Sequence, residues 1–139
     1  VVTCDFFGGG NGSDVLNELG IQAPAMEVFR SSAPDFKVVE NCMADGDYQK
    51  ALAVAETALK KSDKMVKALE KEALWGDEEW EYEYMYERLM NSEMRWAYIY
   101  LLVLADYEKS AERELKKYLN DVDYCLHKAE AESMLRAFS

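Results

Sequence analysis

Residues 77–105 read DEEWEYEYMYERLMNSEMRWAYIYLLVLA, a stretch with neither glycine nor proline. Asp77 can cap a helix start, and acidic residues are favoured in a first helical turn, where the backbone N–H groups leave partial positive charge. Tyr82, Met85, Leu89, Trp96, Ile99 and Val103 then recur at helical spacing. The alternation Glu79/Trp80/Glu81/Tyr82/Glu83/Tyr84 also has the period of a strand, but its flanks are helical and Gly76-Asp77 makes a good helix start. A helix is therefore expected across the whole stretch, about 43 Å long if unbroken at 1.5 Å per residue, with Asn91-Ser92 its one plausible interruption.

Residues 35–139 contain two glycines, Gly46 and Gly76, and no proline. Glycine and proline cost a helix interior about 1 and 3 kcal/mol, so their scarcity permits long helices. Caps and apolar spacing predict short helices at 14–19 and 24–30. A helix at about 33–45 follows, opened by the box Ser32-Ala33-Pro34-Asp35 and carrying Phe36, Val39 and Met43. The next carries Tyr48, Ala51, Leu52, Ala55, Ala58 and Leu59. A lysine-rich helix is expected to begin at Ser62 or Asp63 and stop at Gly76, and two more lie at about 106–119 and 121–137. The expected fold is all-α, antiparallel helical hairpins forming one domain over 14–139, with residues 1–13 an irregular glycine-rich leader.

Composition narrows the function. The chain has 139 residues, 27 Asp+Glu against 16 Lys+Arg and a formal net charge of −11, which argues against nucleic acid as a partner. Half the residues are hydrophobic and 12% aromatic, too rich for a disordered chain. The longest apolar run, 96–105, is half of what a membrane-spanning helix needs, so no transmembrane segment is expected. Cys4, Cys42 and Cys125 form neither a disulfide framework nor a zinc spacing; Cys42 and Cys125 read as small hydrophobes within helices. A bacterial lipoprotein would carry a lipidated cysteine before a leader such as residues 5–13, but Thr3 replaces the usual small residue before Cys4. The expected location is cytoplasmic, with a lipid anchor at Cys4 as the alternative.

No catalytic signature stands out. His127 is the single histidine, so a two-histidine metal site is excluded, and it reads as a solvated surface residue with Asp123 at i−4 and Glu130 at i+3. The run at 8–12 lacks the lysine of a phosphate-binding loop and reads as a linker. No serine or cysteine lies in a nucleophile motif. The chain is read as non-enzymatic, with no cofactor and no metal.

Two segments resemble each other and a known family. Asp45-Gly46-Asp47-Tyr48-Gln49-Lys50-Ala51-Leu52, followed by Ala55, Ala58 and Leu59, is similar to the turn and second helix of a tetratricopeptide repeat. Ala105-Asp106-Tyr107-Glu108-Lys109-Ser110-Ala111, followed by Leu115, Tyr118 and Leu119, resembles it again, and Trp96, Tyr98, Ile99 and Leu102 resemble a repeat's first helix. The resemblance covers roughly residues 33–61 and 92–120. Tyr48 and Tyr107 lie 59 residues apart where tandem repeats recur at 34, Ala105 replaces the turn glycine, and an extra residue precedes Ala111. A compact bundle of hairpins fits better than an extended solenoid, with the last helix (Tyr124, Leu126, Leu135, Phe138) as a cap. The resemblance implies a peptide- or protein-binding inner face presenting Glu40, Met43, Glu93, Trp96 and Tyr100, although the core also has a claim on Trp96 and Tyr100.

The other candidate surface is local. Between Asp77 and Glu93 there are seven acidic residues and one basic one, Arg88, interleaved with aromatics from Trp75 onward. On a helix the side chains of Trp80, Tyr82, Tyr84 and Tyr86 point all around, so some must pack on the preceding helix and others remain outside. Trp75, Trp80 and Tyr82 are candidate contacts for a basic partner or a second subunit, since Trp and Tyr are enriched in interface hot spots. Lys64, Lys67 or Lys71 are expected beside this acidic helix. The first functional expectation is thus a protein-interaction or scaffold module of tetratricopeptide-repeat type. The runner-up is a self-associating bundle, a structural homodimer built on the 77–105 helix. A carboxylate-based metal-binding or enzyme-accessory domain stands third.

Overall fold

The structure, a computed structural model, describes residues 12–29 and 36–138. Helix α1 spans Gly12–Glu18, a 3-10 turn Met26–Phe29, α2 Phe36–Ala44, α3 Tyr48–Glu72, α4 Glu78–Leu104, α5 Glu108–Asn120 and α6 Lys128–Phe138. Among the described residues there is no strand, and the fold is all-α as expected. The readings of Cys4, of the glycines at 8–10 and of the box at 32–35 lie outside the described residues. The leader expected to reach residue 13 gives way to helix already at Gly12.

Several boundaries differ from expectation for identifiable reasons. Of the helix expected at 24–30, Met26–Phe29 form a short 3-10 turn. Ser62 and Asp63 start no helix; α3 runs straight through them for 25 residues. Both side chains are engaged by α4 and do not cap a backbone: Asn91 Nδ2 donates to Ser62 Oγ at 3.1 Å and to Asp63 Oδ1 at 2.8 Å, and Arg95 Nη2 donates to Asp63 Oδ1 at 2.9 Å. Asn91-Ser92 does not break α4 either, because Asn91 bonds across to α3 and Ser92 Oγ donates to the Tyr124 carbonyl at 2.8 Å. Residues 121–127 form turns and not the start of the last helix, which takes Cys125 and Leu126 off any helix.

A seven-residue polar period sets the α3–α4 register. Glu56, Asp63 and Glu70 on α3 accept from Tyr98, Asn91 and Tyr84 on α4 at 3.1, 2.8 and 2.8 Å. Each pair is placed symmetrically about residue 77, as an antiparallel hairpin with that turn requires. Arg95 extends the ladder to α5 through Glu114 at 2.6 Å, and Arg88, one heptad earlier on α4, pairs with Asp121, seven residues after Glu114 and just past the end of α5. Lys64, Lys67 and Lys71, expected beside the acidic helix, make no ion pair with α4 among the described residues; α3 contributes its carboxylates there.

The turns α2–α3 and α4–α5 share one geometry. Gly46 has φ +77°, its N–H bonds the Met43 carbonyl, and the Asp47 N–H bonds the Cys42 carbonyl. Asp106 has φ +64°, its N–H bonds the Val103 carbonyl, and the Tyr107 N–H bonds the Leu102 carbonyl. Asp106 therefore occupies the left-handed position that glycine holds in the first turn, a role aspartate tolerates. With Gly46 matched to Asp106, Ala51 and Ala111 fall in register, both fully buried, and the extra residue suggested by the tyrosines disappears.

One core runs from Leu16 and Phe29 through Val39, Ala51 and Ala55 to Met94, Trp96, Ile99, Leu101, Val103, Leu115, Tyr118 and Met134. The C-terminal half of α4 is apolar on nearly every face and is surrounded accordingly. A second, small cluster comprises Val66, Leu69, Trp80 and Tyr84. Helix length explains the division. At 1.5 Å per residue α3 and α4, with 25 and 27 residues, reach about 40 Å, whereas α5 and α6, with 13 and 11, reach about 20 Å or less. The far end of the α3–α4 hairpin thus extends past its neighbours and needs its own core.

Candidate functional site

The far end of the hairpin sorts its aromatics by helix face. Trp80 and Tyr84, one turn apart, stack at 5.0 Å and 6° on the side turned to α3, where Trp80 Nε1 donates to the Leu69 carbonyl at 3.2 Å. The Tyr84 hydroxyl donates to Glu70 Oε2 and accepts from Arg88 Nη1, 2.9 Å away. Trp75, in the turn, sets its ring edge-on to both, 4.6 Å from Trp80 and 5.7 Å from Tyr84, yet stays 66% exposed. On the opposite side of α4, Tyr82, Met85 and Tyr86 are 71%, 54% and 56% exposed.

These three continue a stripe already visible in the sequence. Tyr82, Met85, Leu89, Trp96 and Val103 fall along one side of α4; Trp96 and Val103 are buried, Leu89 is half-buried, and the first two are bare. The covering elements stop near Ser92, where the connection 121–127 crosses. Arg88 pairs with Asp121 and lies over the Tyr124 ring, 4.4 Å from its centroid. That connection adds two exposed apolar side chains, Val122 and Leu126. Glu78, Glu79, Glu81, Glu83 and Glu87 share the same helix segment.

Burial, and then the neighbouring Glu83, hold the Glu87 carboxyl above the usual carboxylate range. A raised folded-state pKa contributes stability only at low pH, and that contribution is lost as pH rises through it, so ionised Glu87 opposes folding at neutral pH. Glu87→Gln is expected to stabilise the protein by about a few tenths of a kcal/mol at pH 7, solvent screening keeping the gain small. The difference should vanish at a pH where Glu87 is protonated in both states. Urea unfolding at the two pH values measures it.

The inner-face candidates disperse. Trp96 is 2% exposed, stacked on His127 at 5.1 Å and tilted against Tyr118 at 5.5 Å, so it packs inside the bundle and offers a partner no surface. Glu93 is held by His127 Nε2 at 3.0 Å. Tyr100 and Met43 are half-buried against the core, and Glu40 is exposed on α2. Of the local candidates, Trp80 is core and Trp75 and Tyr82 are surface; Tyr86 is exposed beside them, and Met85, Val122 and Leu126, the last expected within a capping helix, join the surface. The signal for Met85 and Tyr86 lay in the α4 spacing combined with the shortness of α5 and α6.

His127, expected as a solvated residue, is instead half-buried between Trp96 and two carboxylates, with Nδ1 3.5 Å from Glu130. Asp123 lies in the turns before α6 and plays no part. The histidine borders a cleft of about 360 Å³ under residues 20–24. Among the described residues no three of His, Cys, Asp and Glu come together to hold a metal ion, and no helix is long and apolar enough to cross a membrane. No protein-family model matches this chain, and no curated protein or solved structure is significantly similar to it.

Proposed function

We propose that this chain is a non-enzymatic, hairpin-based interaction module, related in design to tetratricopeptide repeats, that binds a protein partner through the far end of α3–α4. The observation that carries the reading is the half-covered stripe of α4: the same line of side chains that buries Trp96 and Val103 leaves Tyr82 and Met85 in water beside Tyr86. Large rigid aromatics bury much area at little entropic cost, which is why they anchor interfaces. The matched turns at Gly46 and Asp106 support the likeness to repeat hairpins.

Self-association through this surface has less in its favour, because a second copy laid stripe to stripe would bring the three glutamates that flank it, Glu78, Glu79 and Glu81, against the same three. Tyr82→Ala/Tyr86→Ala removes two exposed rings and should leave stability within about 0.5 kcal/mol of the parent. Proteins cross-linked to the parent chain in cells should be lost with this variant and retained with Tyr107→Ala, which alters an exposed ring elsewhere. Recovery of the same proteins with both variants would exclude this end of the hairpin as the contact.

A further inference from the structure

We infer that the bare stripe of α4 takes a basic amphipathic helix supplied by another protein; the inference rests on the interaction reading above and names the chemistry of the partner. Tyr82, Met85, Tyr86 and Leu89 stand at i, i+3, i+4 and i+7, the spacing with which one helix offers a ridge to another. Farther along α4 the same side is occupied by the protein's own elements, which pack on Trp96 and Val103. A helix docked on Tyr82 and Met85 would fill the position those elements leave empty. At its inner end it would meet Val122 and Leu126, on the connection held against α4 by Arg88 and Ser92.

Charge selects the partner. Glu78, Glu79 and Glu81 flank the stripe, while Glu83 and Glu87 lie on the Trp80–Tyr84 side of the same segment, and its one cation, Arg88, is already engaged by Asp121 and Tyr84. The lysines of α3 do not serve from a second copy. Lys60, Lys64, Lys67 and Lys71, at i, i+4, i+7 and i+11, form a strip with no large apolar side chain among them. Such a strip could match the glutamates but would leave Tyr82, Met85 and Tyr86 in water. A partner must bring apolar and basic residues together, as a helix with one face of each does.

The segment from Glu78 to Leu89 is about 18 Å long, which a helix of about 12–16 residues covers. The test is a fluorescence-anisotropy titration of the intact chain with a labelled peptide of about sixteen residues, leucine at i, i+3, i+4, i+7 and i+11 and lysine elsewhere. A scrambled peptide of equal composition and a Tyr82→Ser/Met85→Ser/Tyr86→Ser variant, which keeps every charge, are run beside it. The patterned peptide should bind the parent chain at least tenfold more tightly than the scrambled one, with affinity falling as NaCl rises, and the triple variant should lose most of that margin. Equal binding of the two peptides, or binding indifferent to the triple variant, would show charge attraction alone and overturn the inference. So would light scattering that finds a dimer abolished by the triple variant. If the peptide fails while cellular cross-links still depend on Tyr82 and Tyr86, the interaction reading survives and only the partner's chemistry is wrong.

Discussion

Trp96→Ala is expected to lower the stability of the protein by about 3–5 kcal/mol, the range for a large aromatic truncated in a core. The indole is 2% exposed, lies flat against His127 and is tilted against Tyr118. Its loss also removes support from a small network: Tyr118 OH accepts from the His127 N–H at 2.9 Å, and His127 Nε2 sits 3.0 Å from Glu93. Through these contacts Trp96 holds the 121–127 connection onto α4, so the damage should spread into α6. For a domain of this size the midpoint of thermal unfolding should fall by roughly 10–18 °C. A residue of a peptide-binding face behaves otherwise, giving a folded protein with lost affinity. A shift of under about 1 kcal/mol in urea unfolding would therefore return Trp96 to the list of partner contacts.

Gly12→Ala is expected to cost about 3 kcal/mol, for a reason that concerns space and not backbone freedom. A Cβ at this position would lie 1.7 Å from the Val103 carbonyl oxygen and 2.6 Å from its carbon, backbone atoms with no rotamer to yield. The close approach lets the Gly12 N–H donate to Asp106 Oδ1 at 2.9 Å, tying α1 to the α4–α5 turn. The chain can respond by shifting α4 or by releasing α1. Release exposes Leu16 and Val15 and breaks one hydrogen bond, a loss of about 3–5 kcal/mol that sets the ceiling. Hydrogen exchange distinguishes the responses: release deprotects the α1 amides while those of α4 stay slow, whereas a shift of α4 raises exchange in both. An unchanged midpoint of unfolding would mean that the approach of α1 to Val103 is looser than described.

Much of the fold was legible because it depends on local signals. The absence of glycine and proline between 77 and 105, the acidic first turn and the apolar spacing required one long helix, and α4 spans Glu78–Leu104. The capping Asp77 accepts from the Trp80 N–H at 3.0 Å as a cap should. Local signals mislead where a side chain has two uses. Ser62 and Asp63 have the chemistry of a helix start, but the same hydroxyl and carboxylate also satisfy Asn91 and Arg95. Local sequence carries no information about a neighbour 28 or 29 residues away. The turn at Asp106 was misaligned for a related reason: matching tyrosines compares side chains, whereas the backbone matches residues of positive φ.

The candidate surface divides along the same line. That aromatics at 80, 82, 84 and 86 cannot all be buried on one helix face was fixed by the 100° turn per residue. Which of them face water was not, because it depends on what lies alongside. Trp80 and Tyr84 are covered because α3 is as long as α4; Tyr82, Met85 and Tyr86 are bare because α5, which packs on α4, ends at Asn120. An acidic, helical chain with a long aromatic helix follows from composition, caps and periodicity, which act within a few turns. That Trp96 belongs to the core and Tyr82 to the surface came from the packing of the helices, because burial is a property of the space between them and no residue carries it alone.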